Sequence, residues 1–92
     1  MRIVSTKISK IRKRDGRIVD FEPRKIAKAI HKALEAAKVK DGELAEELSE
    51  DVVAILEKNF EGKFPSVEDV QDIVEKVLNK HGFAEVAKAY IL

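Results

Sequence analysis

Residues 11–21, IRKRDGRIVDF, decide how this chain begins its fold. The pair Asp15-Gly16 in the middle of the stretch is favoured in a two-residue type I′ turn, in which both central positions need a positive φ. We therefore predict a β-hairpin with arms over residues 8–14 and 17–21. A lone hairpin is only marginally stable in water, so it has to pack on the segments that follow. The β-forming residues behind this prediction are Ile3, Val4, Ile8, Ile11, Ile18, Val19 and Phe21.

Two helices are expected directly after the hairpin. Pro23 suits the first helical position, and apolar residues at helical spacing continue this helix until it fades near Val39. After a break at Asp41-Gly42, a second helix is predicted from about Glu43 to near Asn59. Its expected buried face consists of Leu44, Leu48, Val52, Ile55 and Leu56.

Two further helices complete the predicted fold. Ser66, followed three residues later by Asp69, has the pattern of a capping box at the start of the third helix, which Gly82 ends. The fold class is therefore α+β and mainly α, with an N-terminal β-hairpin covering a small four-helix bundle. At 92 residues the chain is long enough for one core, so residues 1–92 are predicted to form a single domain. The short fourth helix is expected to bury Phe83, Val86, Ala87, Tyr90 and Ile91.

The composition offers little for catalysis. There is no cysteine, and the motifs GxSxG, HExxH and GxxxxGK[ST] are absent, so neither a catalytic site nor a metal site is predicted. His31 stands among lysines, and His81 suits the C-terminal end of a helix dipole. No apolar run approaches the roughly 20 residues of a membrane span, and no signal peptide is recognisable, which favours a cytoplasmic protein. The 38% of charged residues is typical of thermophile proteins.

Charge is divided unevenly along the chain. Residues 1–40 carry 13 Lys and Arg against four Asp and Glu, whereas residues 41–92 carry five against 13. A basic half of this kind suits an anionic ligand. The alternative is that the two halves simply complement each other within the fold.

The densest group of cations lies around Asp15-Gly16. Alternation along a strand places Ile11 and Lys13 on one face, where they could offer an apolar surface and a fixed charge. Together with Arg14, and with Lys25 in the first turns of the first helix, they could hold a triphosphate near a positive helix end. Two other interpretations stay open, a solvated basic hairpin that resists edge pairing and a β-ribbon in a nucleic-acid groove. The acidic half disfavours the second, because it would repel a long polyanion.

Three blocks of sequence, in order, resemble the ATP-cone family over nearly the whole chain. The first is IRKRDG at residues 11–16, followed by Phe21 and then by Lys25-Ile26. The second is PSVEDVQDIVE at residues 65–75, and the third is HGFAEVAKAYI at residues 81–91. The resemblance implies an allosteric domain that binds ATP or dATP, with or without Mg²⁺, and has no enzymatic activity of its own.

The resemblance also implies which residues hold the phosphates. Lys13 and Arg14 match the phosphate-binding pair of the family, and Gly16 matches the residue that shapes the turn above the nucleotide. Lys25 matches a lysine of the first helix that reaches the phosphates.

The nucleoside is implied to lie against a second group of residues. Backbone groups near Val19 and Glu22 would read the adenine edge, and Ser66 or Gln71 would meet the ribose. The residues implied to enclose the base or the sugar are Ile11, Val19, Ile26 and Val70.

The implied function is allosteric regulation of a ribonucleotide reductase, of which the chain is a part or on which it acts. Nucleotide state would be transmitted through helix packing and subunit association to a reductase catalytic domain or another protein partner, self-association included. No membrane partner is expected, and direct DNA binding is disfavoured because a repressor of the family carries a four-cysteine zinc ribbon. The alternatives are a nucleotide-responsive, DNA-binding regulator of reductase genes and a helical assembly module without a ligand.

Overall fold

A computed structural model describes residues 8–91, and the burial of side chains is described for residues 8–88. The predicted class is confirmed, because a two-stranded antiparallel hairpin is followed by four helices. Ile3 and Val4, named above as strand formers, lie outside the described residues, as do the side chains of Tyr90 and Ile91. The elements are β1 (Lys10–Arg12), β2 (Ile18–Asp20), α1 (Pro23–Ala36), α2 (Leu44–Asn59), α3 (Val67–Lys80) and α4 (Ala84–Ile91).

The turn of the hairpin differs from the prediction. The Lys13 amide donates to the Arg17 carbonyl at 2.8 Å and the Gly16 amide donates to the Lys13 carbonyl at 3.0 Å, so three residues form the loop. Gly16 has a φ of 89°, but Asp15 does not take the positive φ that a type I′ turn requires. The Asp15 carboxylate instead accepts the Arg17 amide at 3.0 Å, a local bond to the backbone two residues further on that aspartate often makes in turns. The type I′ prediction was therefore wrong, and the loop has the pattern of a turn closed by a left-handed glycine.

The hairpin is joined to the start of α3 by backbone contacts. The Arg12 amide donates to the Pro65 carbonyl at 2.9 Å, and Arg12 forms a parallel bridge with Ser66. The segment before α3 thus lies beside β1 and pairs with it at a single bridge. This connection places the hairpin loop next to the first turn of α3.

The four helices pack in a ring around one core, α1 on α2, α2 on α3, α3 on α4 and α4 on α1. Ile8 and Phe21, which flank the two strands, are buried in the same core and attach the hairpin to it. The helical members of the core are Ile26, Ile30, Ala33, Leu34, Ala45, Leu48, Val52, Val53, Leu56, Val70, Ile73, Val74, Val77, Leu78, Val86 and Ala87.

Ile55 does not belong to the buried face of α2, contrary to the prediction. Its side chain is 37% exposed, whereas Val53 and Ser49 are almost completely buried. The buried residues of α2 repeat with the period of a helix, at positions 45, 48, 49, 52, 53 and 56. The buried face is therefore centred about one position away from the predicted face. Ile55 consequently lies on its flank.

The capping box that starts α3 is confirmed. The Asp69 amide donates to Ser66 Oγ at 3.1 Å, and the Ser66 amide donates to Asp69 Oδ2 at 2.9 Å. These reciprocal bonds satisfy two backbone donors that the first turn of a helix would otherwise leave unpaired.

The first helix ends earlier than predicted. It stops at Ala36, and Lys38 adopts a left-handed conformation with a φ of 62°. The Lys38 amide donates to the Glu35 carbonyl at 2.9 Å and the Val39 amide to the Leu34 carbonyl at 2.8 Å. This is the hydrogen-bond pattern of a Schellman motif, which glycine usually closes. Because lysine occupies the position here, the sequence carries no visible stop signal.

Candidate functional site

An open groove of about 390 Å³ separates the hairpin loop from the start of α3. We call it the turn groove; Lys13, Arg14 and Asp15 line it on the hairpin side, and Val67 and Gln71 line it on α3. It exists because the Arg12–Pro65 hydrogen bond holds the two elements side by side. Three candidate residues named from the sequence, Lys13, Arg14 and Gln71, therefore meet at one place.

The two cations of the turn groove differ in their surroundings. Arg14 Nε lies 2.8 Å from Glu68 Oε1, across the gap between the loop and α3. Lys13 forms no ion pair within the described part of the chain. Both side chains are exposed, so both remain accessible to an anion in solution.

The α3 end of the groove adds a further positive contribution. Amides of the first helical turn carry a partial positive charge, and Ser66 and Asp69 satisfy only some of these donors. An anion in the groove would thus meet two side-chain cations on one side and a helix N-terminus on the other.

Lys25 lies outside the lining of the turn groove. It stands in the first turn of α1, where its Nζ is 2.8 Å from Glu22 Oε2. The Glu22 carboxylate accepts a hydrogen bond from this ammonium group and attracts its charge, which raises the pKa of Lys25 above its ordinary value. The lysine is 80% exposed, so the pair is a surface pair.

The apolar candidates lie partly in the core. Ile11 and Val19 face each other across the hairpin and are half-buried. Ile26 and Val70 are about 95% buried, because both belong to the helical core. These two can therefore support a ligand from beneath but offer it little surface.

Ser66 and Gly16 hold structural positions around the groove. Ser66 Oγ already accepts the Asp69 amide, so its hydroxyl hydrogen and one remaining lone pair are available for another partner. Gly16 takes the left-handed conformation that closes the loop.

Sequence reasoning did not assign three residues of this region to the site, Asp15, Val67 and Glu68. Asp15 was placed in the hairpin turn from the Asp15-Gly16 pair but was not counted as part of the groove. Val67 and Glu68 reach the site only because the hairpin pairs with the segment before α3. No local pattern announces that pairing.

A larger groove of about 410 Å³ lies elsewhere, between α1 and the start of α2. We call it the α1–α2 groove; Ala27 and Ala45 are among its apolar lining, and Arg24, Lys28 and Lys32 are among its charged lining. None of the site residues named from the sequence lines it. Its size alone therefore does not make it the candidate site.

The remaining titratable groups of interest form surface pairs. His31 Nε2 lies 2.5 Å from Glu35 Oε1 on α1, and His81, which caps the end of α3, lies 3.5 Å from Asp51 Oδ2. Within residues 8–91 no group of three or more potential ligands is placed to hold a metal ion. No helix in that range has the length and apolar character needed to cross a membrane.

The family model of the ATP cone domain matches residues 9–92, which covers the hairpin, the four helices and the turn groove. The chain belongs to the ATP-cone family. As an ATP cone it is a regulatory domain, in a family whose general role is allosteric regulation by nucleotides.

The relatives of this ATP cone are much longer proteins. A vitamin B12-dependent ribonucleoside-diphosphate reductase from Thermoplasma acidophilum is 45% identical over 92 residues, covering 92% of the chain and 11% of the relative. A protein of the same description from Mycobacterium tuberculosis is 31% identical over 84 residues, covering 91% and 12%. The ribonucleoside-diphosphate reductase subunit alpha of Chlamydia pneumoniae is 34% identical over 99 residues, covering 96% and 9%. The chain thus spans about a tenth of the length of these curated relatives.

Proposed function

We propose that residues 1–92 form one nucleotide-sensing unit that binds ATP or dATP, with the phosphates in the turn groove. The observation that carries the proposal is the meeting of Lys13 and Arg14 with the N-terminus of α3 across one open groove. A polyphosphate chain has the charge and the acceptor oxygens that this set of donors requires.

Charge around the groove favours a small anion over a long one. Glu68 and Asp69 occupy the first turn of α3, and Asp72 follows on the same helix. A duplex laid along the hairpin would bring many phosphates close to these carboxylates, whereas a single nucleotide brings only three. Nucleic-acid binding, which gains its affinity from many phosphate contacts, is accordingly the weaker proposal.

The nucleoside would lie along the hairpin and the first turns of α3. The half-buried pair Ile11 and Val19 offers an apolar surface, and the amide of Gln71 offers a donor and an acceptor at the groove. ATP and dATP differ by one ribose hydroxyl, so a residue such as Gln71 or Ser66 is where the two would be distinguished.

A signal from the groove would travel through α3. The hairpin is hydrogen-bonded to Pro65, directly before this helix, and α3 packs on both α2 and α4. Phosphates that draw the loop and the helix together would bias the packing of the bundle, and a partner that favours one packing would sense the nucleotide. Because the relatives are ribonucleotide reductases, a reductase is the partner that we propose.

Calorimetric titration of the chain with ATP and with dATP tests this function. Lys13→Ala should weaken binding about tenfold, since a hydrogen bond to a charged group contributes about 1.5 kcal/mol. Lys76→Ala, which removes an exposed lysine farther along α3, is the matched control and should leave the affinity unchanged. Absence of binding at millimolar nucleotide to the folded chain would refute the proposal.

A further inference from the structure

One of the two cations of the turn groove, Arg14, already forms an ion pair with a carboxylate of the protein. Arg14 Nε lies 2.8 Å from Glu68 Oε1, and these side chains are 74% and 49% exposed. Arg14 belongs to the hairpin loop, and Glu68 belongs to the first turn of α3. The pair therefore bridges the same gap in which the phosphates are proposed to lie.

Backbone geometry holds the two partners opposite each other. The Arg12–Pro65 hydrogen bond fixes the hairpin beside α3, and the Ser66–Asp69 capping box fixes the turn on which Glu68 stands. The meeting of Arg14 and Glu68 thus follows from how the elements are joined.

Lys25, the candidate cation that lies outside the groove, is also paired with a carboxylate. Lys25 pairs with Glu22 at 2.8 Å on the first turn of α1. Two of the three cations assigned to phosphate binding are therefore partly neutralised by carboxylates of the protein. Only Lys13 has no such partner among the described residues.

We propose that Glu68 is a built-in competitor of phosphate for Arg14, which lowers the affinity of the turn groove for nucleotides. A carboxylate oxygen and a phosphate oxygen accept the same guanidinium N–H groups, so one has to give way to the other. A displaced Glu68 would still stand on the rim of the groove and repel the bound phosphates. This inference rests on the proposed function, because it concerns the same site.

The size of the effect follows from the exposure of the pair. Solvent screens an ion pair as open as this one, so Glu68 should not block binding but should weaken it. Removing a competitor of this kind is expected to tighten nucleotide binding about fivefold. The consequence for a sensor is a response that begins at a higher nucleotide concentration.

The test compares Glu68→Gln with the unaltered chain in titrations with ATP and with inorganic tripolyphosphate. Both ligands should bind about fivefold more tightly to the variant, since the competition concerns only phosphate. Glu47→Gln is the matched control, because Glu47 also lies in the first turn of a helix, α2, but forms no ion pair within the described residues. It should change either affinity less than twofold.

The Arg14→Gln background separates competition from a general effect of charge. If Glu68 acts through Arg14, Glu68→Gln should lose most of its benefit when Arg14 is already replaced. Weaker binding in the Glu68→Gln variant would overturn the inference, because it would mean that Glu68 positions Arg14 for phosphate. A gain no larger than that of Glu47→Gln would overturn it as well.

The proposed function and this inference fail in different ways. If the unaltered chain binds neither ATP nor tripolyphosphate, the turn groove is not a phosphate site and both proposals fall. If it binds them and Glu68→Gln gives no gain, the function stands and only the competition is refuted.

Discussion

Ser66 is the residue at which the helix, the hairpin and the proposed site meet, and its replacement by alanine has a defined cost. In the Ser66→Ala variant the Asp69 amide loses the Oγ acceptor that it reaches at 3.1 Å. The reverse bond, from the Ser66 amide to Asp69 Oδ2, involves only backbone on the side of residue 66 and can persist. One half of the capping box is lost, and the other half is kept.

The magnitude follows from known helix caps. Replacing a serine cap by alanine costs about 1 kcal/mol of unfolding free energy. For a domain of this size the unfolding entropy is about 0.2 kcal/mol per kelvin, so the midpoint of thermal unfolding should fall by about 5 °C. Because the hairpin bridges to the same residue, the loss should be felt at the hairpin as well as in α3.

Thermal and urea unfolding, followed by circular dichroism, measure this change. Ser66→Asp is the control, because an aspartate can cap the helix in the same way and should retain most of the stability. The expected fall in the unfolding midpoint is about 5 °C. The capping argument would be refuted if the midpoint of Ser66→Ala lay within about 1 °C of that of the unaltered chain.

Three further changes test other parts of the structure. Lys38→Gly should raise the unfolding free energy by about 1 kcal/mol in urea titrations, because Lys38 holds a left-handed conformation that glycine adopts without strain. Ser49→Ala should stabilise the chain by about 1 kcal/mol, since Ser49 Oγ is buried without a hydrogen-bond partner in the described part of the protein; a loss of stability would show that the hydroxyl is satisfied. The hydrogen bond and charge of Lys10 lower the pKa of Asp20 below its ordinary value of 3.8. The stabilisation by this pair is therefore complete above pH 3.8 and is lost as the pH falls through the lowered pKa. An NMR titration of the Asp20 carboxyl should show its pKa returning towards 3.8 in the Lys10→Gln variant.

The parts of the fold that local chemistry specifies were predictable. The capping box of Ser66 and Asp69 indicated the start of α3, and Pro23 indicated the first turn of α1. The hairpin was recognised from Asp15-Gly16, but its turn type was wrong because the Asp15 carboxylate binds the Arg17 amide and keeps a three-residue loop.

The errors in the helices have physical causes of a similar kind. Lys38 ends α1 in a conformation that the sequence would announce only with glycine or asparagine. Ile55 was assigned to the buried face of α2 with Leu48 and Val52, but the buried stripe also includes Ser49 and Val53, which moves its centre and leaves Ile55 on the flank. Helical spacing among apolar residues does not by itself fix the centre of the buried stripe.

The candidate site was predictable as a set of cations but not as a geometry. Lys13, Arg14 and Gln71 were named from the sequence and line one groove. Lys25 was named with them but pairs with Glu22 outside that lining, and Glu68 was not named. The place of Glu68 arises from a contact between distant segments, which no local pattern encodes, whereas the Lys25–Glu22 pair is a local contact between residues three apart.

The most direct test of the central proposal is the map of backbone amide NMR shifts produced by ATP. Binding in the turn groove predicts that the largest shifts occur at residues 13–17 of the hairpin loop and at residues 66–71 of α3. Shifts confined to the α1–α2 groove, around Ala27, His31 and Ala45, would show that the nucleotide binds elsewhere and would contradict the proposal.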